Sequence, residues 1–133
     1  MYKTIFRHIL SHLRFRYEIE IWGDGRQTRS FTYIDDCLLG TDLLMHSEVT
    51  VPINIGSSEL VTINQLVDIV EEIAGIKLKR SYKLDAPKGV NGRNSDNTLI
   101  QNLLGWAPGI QLRDGMEKTY AWIHDQYQDK YGP

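Results

Sequence analysis

At 133 residues and 15.3 kDa, with 41% hydrophobic and 24% charged residues, the chain has the composition of one soluble globular domain, which excludes disordered, fibrous and membrane-spanning classes. A chain of this size supports a single hydrophobic core and leaves no room for a complete two-domain enzyme. Fifteen Lys and Arg against 17 Asp and Glu give a formal net charge of -2, so the whole chain offers no basic field to nucleic acid or anionic lipid, and any anion site must be local.

The first residues, MYKTIFRHIL, have no apolar h-region and no small-residue cleavage site, so no signal peptide is expected. No apolar run approaches the roughly 20 residues of a membrane helix. Residues 2–13 set Tyr2, Ile5, Phe6, Ile9, Leu10 and Leu13 at helical spacing, with Lys3, Arg7, His8 and His12 on other faces, which predicts an amphipathic helix. From Arg14 the period becomes two, Phe15, Tyr17, Ile19 and Ile21 alternating with charged residues as in a half-buried strand. Gly23-Asp24-Gly25 ends it in a turn that leads to a second extended stretch, Arg29 to Ile34.

Asp35 is placed to N-cap a helix running to about His46, with Cys37, Leu38, Thr41, Leu44 and Met45 as its inward stripe. Pro52 to Ile55 reads as a short strand and Gly56-Ser57-Ser58 as a turn. Thr62 and Gln65 form a capping-box pair before Ile63, Leu66, Val67, Val70 and Ile73, and Gly75 supplies the C-terminal stop. Leu78 to Leu84 is a predicted strand, and Asp85 to Asn94 a loop whose glycines let the backbone approach a partner closely. A short helix capped by Ser95 or Asp96 carries Leu99, Ile100, Leu103 and Leu104 to Gly105. The last helix, about Arg113 to Gln128, presents Met116, Thr119, Tyr120, Ile123 and Tyr127 on one side. With no internal repeat or flexible linker, residues 1–133 are expected to form a single α+β domain, a small mixed fold of short strands and about five helices.

The chemistry-bearing residues give few constellations. His8 and His12 have the spacing of two zinc ligands on a helix, but Ile9 stands where the metalloprotease motif needs a glutamate, so no metal site is expected. Asp35 and Asp36 are adjacent and cannot face each other on a helix, which favours capping over paired-carboxylate catalysis. Cys37, the single cysteine, excludes an internal disulfide and fits a reducing, cytoplasmic compartment; on the apolar stripe it reads as a small buried hydrophobe. Gly23-Asp24-Gly25 begins like a dinucleotide fingerprint, but Thr28 replaces the third glycine and a strand follows instead of a helix. No tyrosine is followed four residues later by lysine, so no Tyr-x-x-x-Lys pair exists in the 133 residues. Arg29, after the Gly-Asp-Gly turn, and Arg93, in a glycine- and amide-rich loop, have the planar fork that matches phosphate oxygens. From the residues alone, each is either a surface arginine or a phosphate ligand.

Four motifs occur in order: Trp22-Gly-Asp-Gly-Arg-Gln-Thr-Arg-Ser-Phe-Thr-Tyr-Ile-Asp-Asp, Pro52-Ile-Asn-Ile-Gly-Ser, Gly92-Arg-Asn-Ser-Asp-Asn and Leu104-Gly-Trp-Ala-Pro. Together they resemble the C-terminal, substrate-binding part of the NAD-dependent epimerase/dehydratase family, the extended short-chain dehydrogenase/reductases. Within it, Gln27-Thr28-Arg29-Ser30-Phe31 and Gly92-Arg93-Asn94-Ser95-Asp96-Asn97 are most similar to the GDP-mannose 3,5-epimerases. The resemblance runs from about Glu20 to Gln126; the first twenty residues match poorly.

The resemblance implies a substrate domain without a complete Rossmann domain, in which Gln27, Thr28, Arg29 and Arg93 contact a GDP-sugar, the arginines near its diphosphate. It implies no catalytic, cofactor or metal residue in this chain, since the family's cysteine, lysine and NAD-binding loop lie upstream of the matched region. NAD belongs to the complete family enzyme and none is expected on this chain alone, which is expected to be an inactive fragment. The expected partners are a GDP-mannose-like nucleotide sugar, a Rossmann-domain chain and further copies of itself, with no nucleic acid and no membrane. The alternative is a non-catalytic interaction module or the remnant of a split epimerase gene.

Overall fold

The computed structural model describes residues 18–131. The predicted helix over 2–13, the start of the strand that follows it, and His8 and His12 lie outside the described residues. The first described element is strand β1 (Glu18–Trp22), whose alternation buries Ile21 and half-buries Ile19 while Glu20 and Trp22 face out. It runs parallel to strand β4 (Lys79–Lys83), pairing Glu18 with Lys79 through Trp22 with Lys83. The Gly23 amide donates to the Lys83 carbonyl at 2.8 Å, one step beyond the ladder. Gly23 and Gly25 then take φ of 80° and 72°, the left-handed region the predicted turn requires. Within that turn the Arg26 amide donates to Asp24 Oδ1, which holds the Asp24 carboxyl below its usual value.

The predicted stretch from Arg29 to Ile34 is shorter than expected: only β2 (Thr28–Arg29) pairs, antiparallel to β3 (Val61–Thr62). In the antiparallel register the ladder would have to continue onto Leu60 and Glu59, which lie in no strand, and at its other end Thr62 is the N-cap of helix α2 (Ile63–Ala74). That cap is the predicted one. Thr62 Oγ1 accepts the Gln65 amide, Gln65 Oε1 accepts the Thr62 amide, and Gly75 closes the helix at φ 65°. Leu66, Val67 and Val70 are buried from α2, and the core joins Val61, Leu66 and Val70 to Leu112 and Met116 of the last helix, α4 (Leu112–Tyr131). Ile19, Phe31, Ile69 and Ile73 pack around it.

Two further expectations are corrected. Pro52 to Ile55 forms no strand, because no strand among the described residues lies beside it to complete a ladder. Helix α1 (Ile34–Met45) starts after Tyr33, with Asp35 in its first turn and no side-chain cap. It turns Asp36 and Gly40 inward, while Cys37, Leu38, Thr41 and Met45 of the expected inward stripe are exposed. Polar bonding overrides apolar periodicity here. Asp36 Oδ2 accepts the Gly109 and Ile110 amides at 3.0 and 2.8 Å, and the Trp106 ring lies so near Gly40 that a β-carbon there would sit 2.5 Å from it. Asn97 takes the N-cap position of helix α3 (Thr98–Leu104) without a side-chain cap bond, and it is the expected Asp96 whose Oδ1 accepts the Thr98 amide, at 2.9 Å.

A buried carboxylate ties these pieces together. Glu71 of α2 is 2% exposed and is met by Lys77 Nζ at 2.8 Å, Arg80 Nη2 at 3.0 Å and the Leu78 amide at 3.0 Å. Arg80 also reaches Asp68. Burial pushes the Glu71 pKa up, but the bonds from Lys77, Leu78 and Arg80 outweigh it and hold the carboxyl below its ordinary value. A depressed folded-state pKa contributes stability that is complete above the unfolded carboxylate value of about 4.3 and is lost as pH falls through the lower folded value. Glu71→Gln is expected to cost about 3 kcal/mol at neutral pH and to flatten the acid limb of the stability curve, both read from urea denaturation across pH 3 to pH 7.

Candidate functional site

The loop between β4 and α3 lies against β2 and touches two of the four residues expected to form a site, Thr28 and Arg29, with Gln27 preceding them in the chain. Gln27 Nε2 donates to the Trp22 carbonyl at 2.7 Å, while Oε1 is buried with no hydrogen-bond partner among the described residues. An orphaned acceptor of this kind costs free energy unless a donor is supplied from outside. The Thr28 amide donates to the Asn91 carbonyl at 2.8 Å, and its hydroxyl faces Gly92, where a β-carbon would sit 2.5 Å away. Arg29, half-buried, uses Nη1 on the Thr28 carbonyl at 2.6 Å and Nη2 on the Lys88 carbonyl at 3.0 Å.

Arg93 follows directly on this docked stretch. It is exposed and makes no hydrogen bond or ion pair with another described residue. The chain beyond it is fixed to a second wall. Asn94 Nδ2 donates to the Ser58 carbonyl at 3.1 Å, the Ser95 amide to the Ser57 carbonyl at 3.1 Å, and Asn97 Nδ2 to the Gly56 carbonyl at 2.9 Å. The amide of Thr98 lowers the Asp96 pKa by donating to its carboxylate. On this second wall is an open depression of about 560 Å³ lined by Ser58, Asn94, Asp96, Thr98, Gln101 and Ala107; none of Gln27, Thr28, Arg29 and Arg93 lines it. The depression offers amide and hydroxyl groups, which suit a hydroxyl-rich ligand, and Arg93 precedes Asn94 of its lining in the chain.

Sequence reasoning missed Asn91, Asn94, Asn97 and the Gly56-Ser57-Ser58 carbonyls as parts of this arrangement. The signal available was the density of Asn and Ser in residues 91–98, since such side chains bond readily to nearby backbone. No group of three His, Cys, Asp or Glu suited to a metal ion occurs among the described residues. No helix among them is long and apolar enough to cross a membrane. Asp36, buried on the Gly109 and Ile110 amides, is committed to structure. Cys37 is exposed rather than a buried hydrophobe, because the Asp36 side of α1 is the one that faces inward.

No family model matches the chain. It is 48% identical over 109 residues to GDP-mannose 3,5-epimerase 1 of Oryza sativa subsp. indica, a match covering 82% of this chain and 29% of that protein. It is 36% identical over 129 residues to UDP-glucuronate 4-epimerase of Thermodesulfobacterium geofontis, covering 94% of this chain and 39% of that one. Among solved structures, UDP-glucuronic acid 4-epimerase from Bacillus cereus in complex with UDP-glucuronic acid and NAD superposes with a TM-score of 0.82 at 30% identity, over 92% of this chain and 40% of that one. The chain thus spans about three-tenths to two-fifths of the length of these relatives, and its fold corresponds to their C-terminal part.

The contact between Thr28 and Gly92 is a test of the site's construction. Gly92→Ala places a methyl group inside the Thr28 hydroxyl and is expected to lift the loop from β2. The Thr28 amide, now bonded to Asn91, should lose its protection in hydrogen exchange followed by NMR.

Proposed function

Because the chain belongs to the NAD-dependent epimerase/dehydratase family, we propose that it binds a nucleotide sugar of the GDP-mannose kind, with Gln27, Thr28, Arg29 and Arg93 around the ligand. The observation that carries this reading is the exposed guanidinium of Arg93, which pairs with no other described residue, at the end of a loop docked by Thr28 and Arg29 on one side and by the 56–58 segment on the other. A diphosphate carries paired oxygens that such a fork bonds bidentately. The buried Oε1 of Gln27 has no hydrogen-bond partner among the described residues, and a nucleoside or sugar has the N–H and O–H groups that would satisfy it. In this reading residues 1–133 act as one nucleotide-sugar-binding domain.

NAD does not fit the residues present. The Gly23-Asp24-Gly25 turn leads into β2 and not into a helix N-terminus, so no helix dipole faces a pyrophosphate there. The spaces over Gly23 and Gly25 are taken by the Lys88 stem and the Asn64 side chain. The Tyr-x-x-x-Lys pair is also missing from the 133 residues. This chain therefore contributes placement of the substrate, and hydride and proton transfer are assigned to no residue of it.

Isothermal titration of the chain with GDP-mannose and, separately, with NAD tests the proposal. GDP-mannose should bind and NAD should not. Arg93→Ala should weaken GDP-mannose about tenfold or more, the worth of one lost charge-assisted bond of about 1.5–3 kcal/mol. Tight stoichiometric NAD binding, or an Arg93→Ala affinity equal to that of the unmodified chain, would overturn it.

A second reading, an interaction module, is favoured by one observation: Ile34, Leu38 and Met45 of α1 are 57%, 61% and 76% exposed. Such a face tends to be covered by association, here with a Rossmann-domain chain or a second copy of this one. Sedimentation velocity should show self-association at high concentration that Leu38→Asp abolishes. A monomer under all conditions would remove the self-association arm of this reading.

A further inference from the structure

Arg29 and Arg93 enter the site with different commitments, and the difference assigns them different work. Arg29 spends Nη1 and Nη2 on two backbone carbonyls, its own neighbour Thr28 and the distant Lys88. Two more contacts secure the same place. The Asn91 carbonyl accepts the Thr28 amide, and Gly92 packs against the Thr28 hydroxyl at a distance no β-carbon could occupy. Gly89 turns the chain between them at φ 71°, with room for a β-carbon only 3.6 Å from Arg29 Nη2. The segment 88–92 is therefore attached to β2 at both its ends, by the Arg29 fork at Lys88 and by Thr28 at Asn91 and Gly92. Arg93 is the next residue.

We propose that Arg29 is a positioning residue: it pins the 88–92 segment onto β2 and so fixes the backbone from which Arg93 reaches the ligand's phosphates. This rests on the nucleotide-sugar reading for its ligand, but the attachment itself can be measured with none present. A guanidinium spans two carbonyls with little loss of freedom because its N–H groups diverge in one rigid plane; an ammonium has its three donors on one atom at the end of a flexible stem and does not reproduce that fork. Losing the bridge frees the segment to open locally, and local opening is what a protease reads. The Lys88–Gly89 bond, whose carbonyl is the one Arg29 holds, is itself a trypsin-sensitive bond.

The test compares the full chain with Arg29→Ala, Arg29→Lys, Arg93→Ala and, as a control, Arg26→Ala, an exposed arginine in the preceding turn. Each is followed by the rate of tryptic cleavage at Lys88–Gly89 under native conditions, read by mass spectrometry, and by GDP-mannose affinity. Arg29→Ala and Arg29→Lys should both be cut about tenfold faster or more and should both bind GDP-mannose weakly. Arg93→Ala should bind weakly with no change in cleavage at Lys88, and Arg26→Ala should change neither. Unaltered cleavage in Arg29→Ala would overturn the proposal, as would Arg29→Lys regaining full affinity while its loop stayed open, since charge alone would then suffice. If the unmodified chain binds no GDP-mannose, the nucleotide-sugar reading fails and so does the ligand half of this proposal, whereas the cleavage rates still decide whether Arg29 is the latch.

Discussion

The carboxylate of Glu71 is the constraint on which the arrangement depends. A charge buried this deeply is costly unless each oxygen is satisfied, and here Lys77, Arg80 and the Leu78 amide do so together. Lys77 and Leu78 fix the chain as it leaves α2, and Arg80 fixes β4. Once β4 is set, its parallel partner β1 is in register, and the loop that leaves β4 starts from a defined point. Arg29 and Thr28 take hold of that loop further along. The site is thus two steps removed from the buried acid.

Two other acids work in the same manner on the second half of the fold. Asp36 receives the Gly109 and Ile110 amides, and Glu59 Oε2 receives the Leu112 amide at 2.8 Å, satisfying one of the N–H groups that every helix leaves open at its start. These bonds draw α1 and the 56–59 segment onto the approach to α4. They also explain why Met116 and Leu112 reach the core from a helix whose far end is mostly exposed.

What could be read from the sequence was what is local. The Thr62–Gln65 box, the Gly75 stop and the Gly23-Asp24-Gly25 turn depend on neighbours within a few residues, and each is found where the pattern put it; the strand expected over Leu78 to Leu84 forms at Lys79–Lys83 because β1 lies beside it. Helix α1 was read for type and length but not for orientation, because Asp36 and Gly40 answer to Gly109, Ile110 and Trp106, and no periodicity encodes a partner some seventy residues away. The strand expected at Pro52 to Ile55 failed for the same reason: alternation describes a surface, and a strand also needs a neighbour. At the site, the arginines and glycines stood out as residue types, whereas the division of labour between Arg29 and Arg93 appears only once the Lys88 carbonyl is seen beside one of them.

The parallel pairing of β1 with β4 has a consequence for how the molecule comes to exist. Its two strands are separated by about 60 residues, so the ladder cannot close until the intervening chain has been ordered, and closing so long a loop precedes any reward from its hydrogen bonds. Helix α2, with its own caps, can form early. The seat of Arg93 has no such head start, since the loop that bears it is attached on one side to β4 and on the other to the segment following β1. The surface around Arg93 is consequently among the last features to take shape, so whatever depends on its geometry is available only on chains whose folding has run to completion.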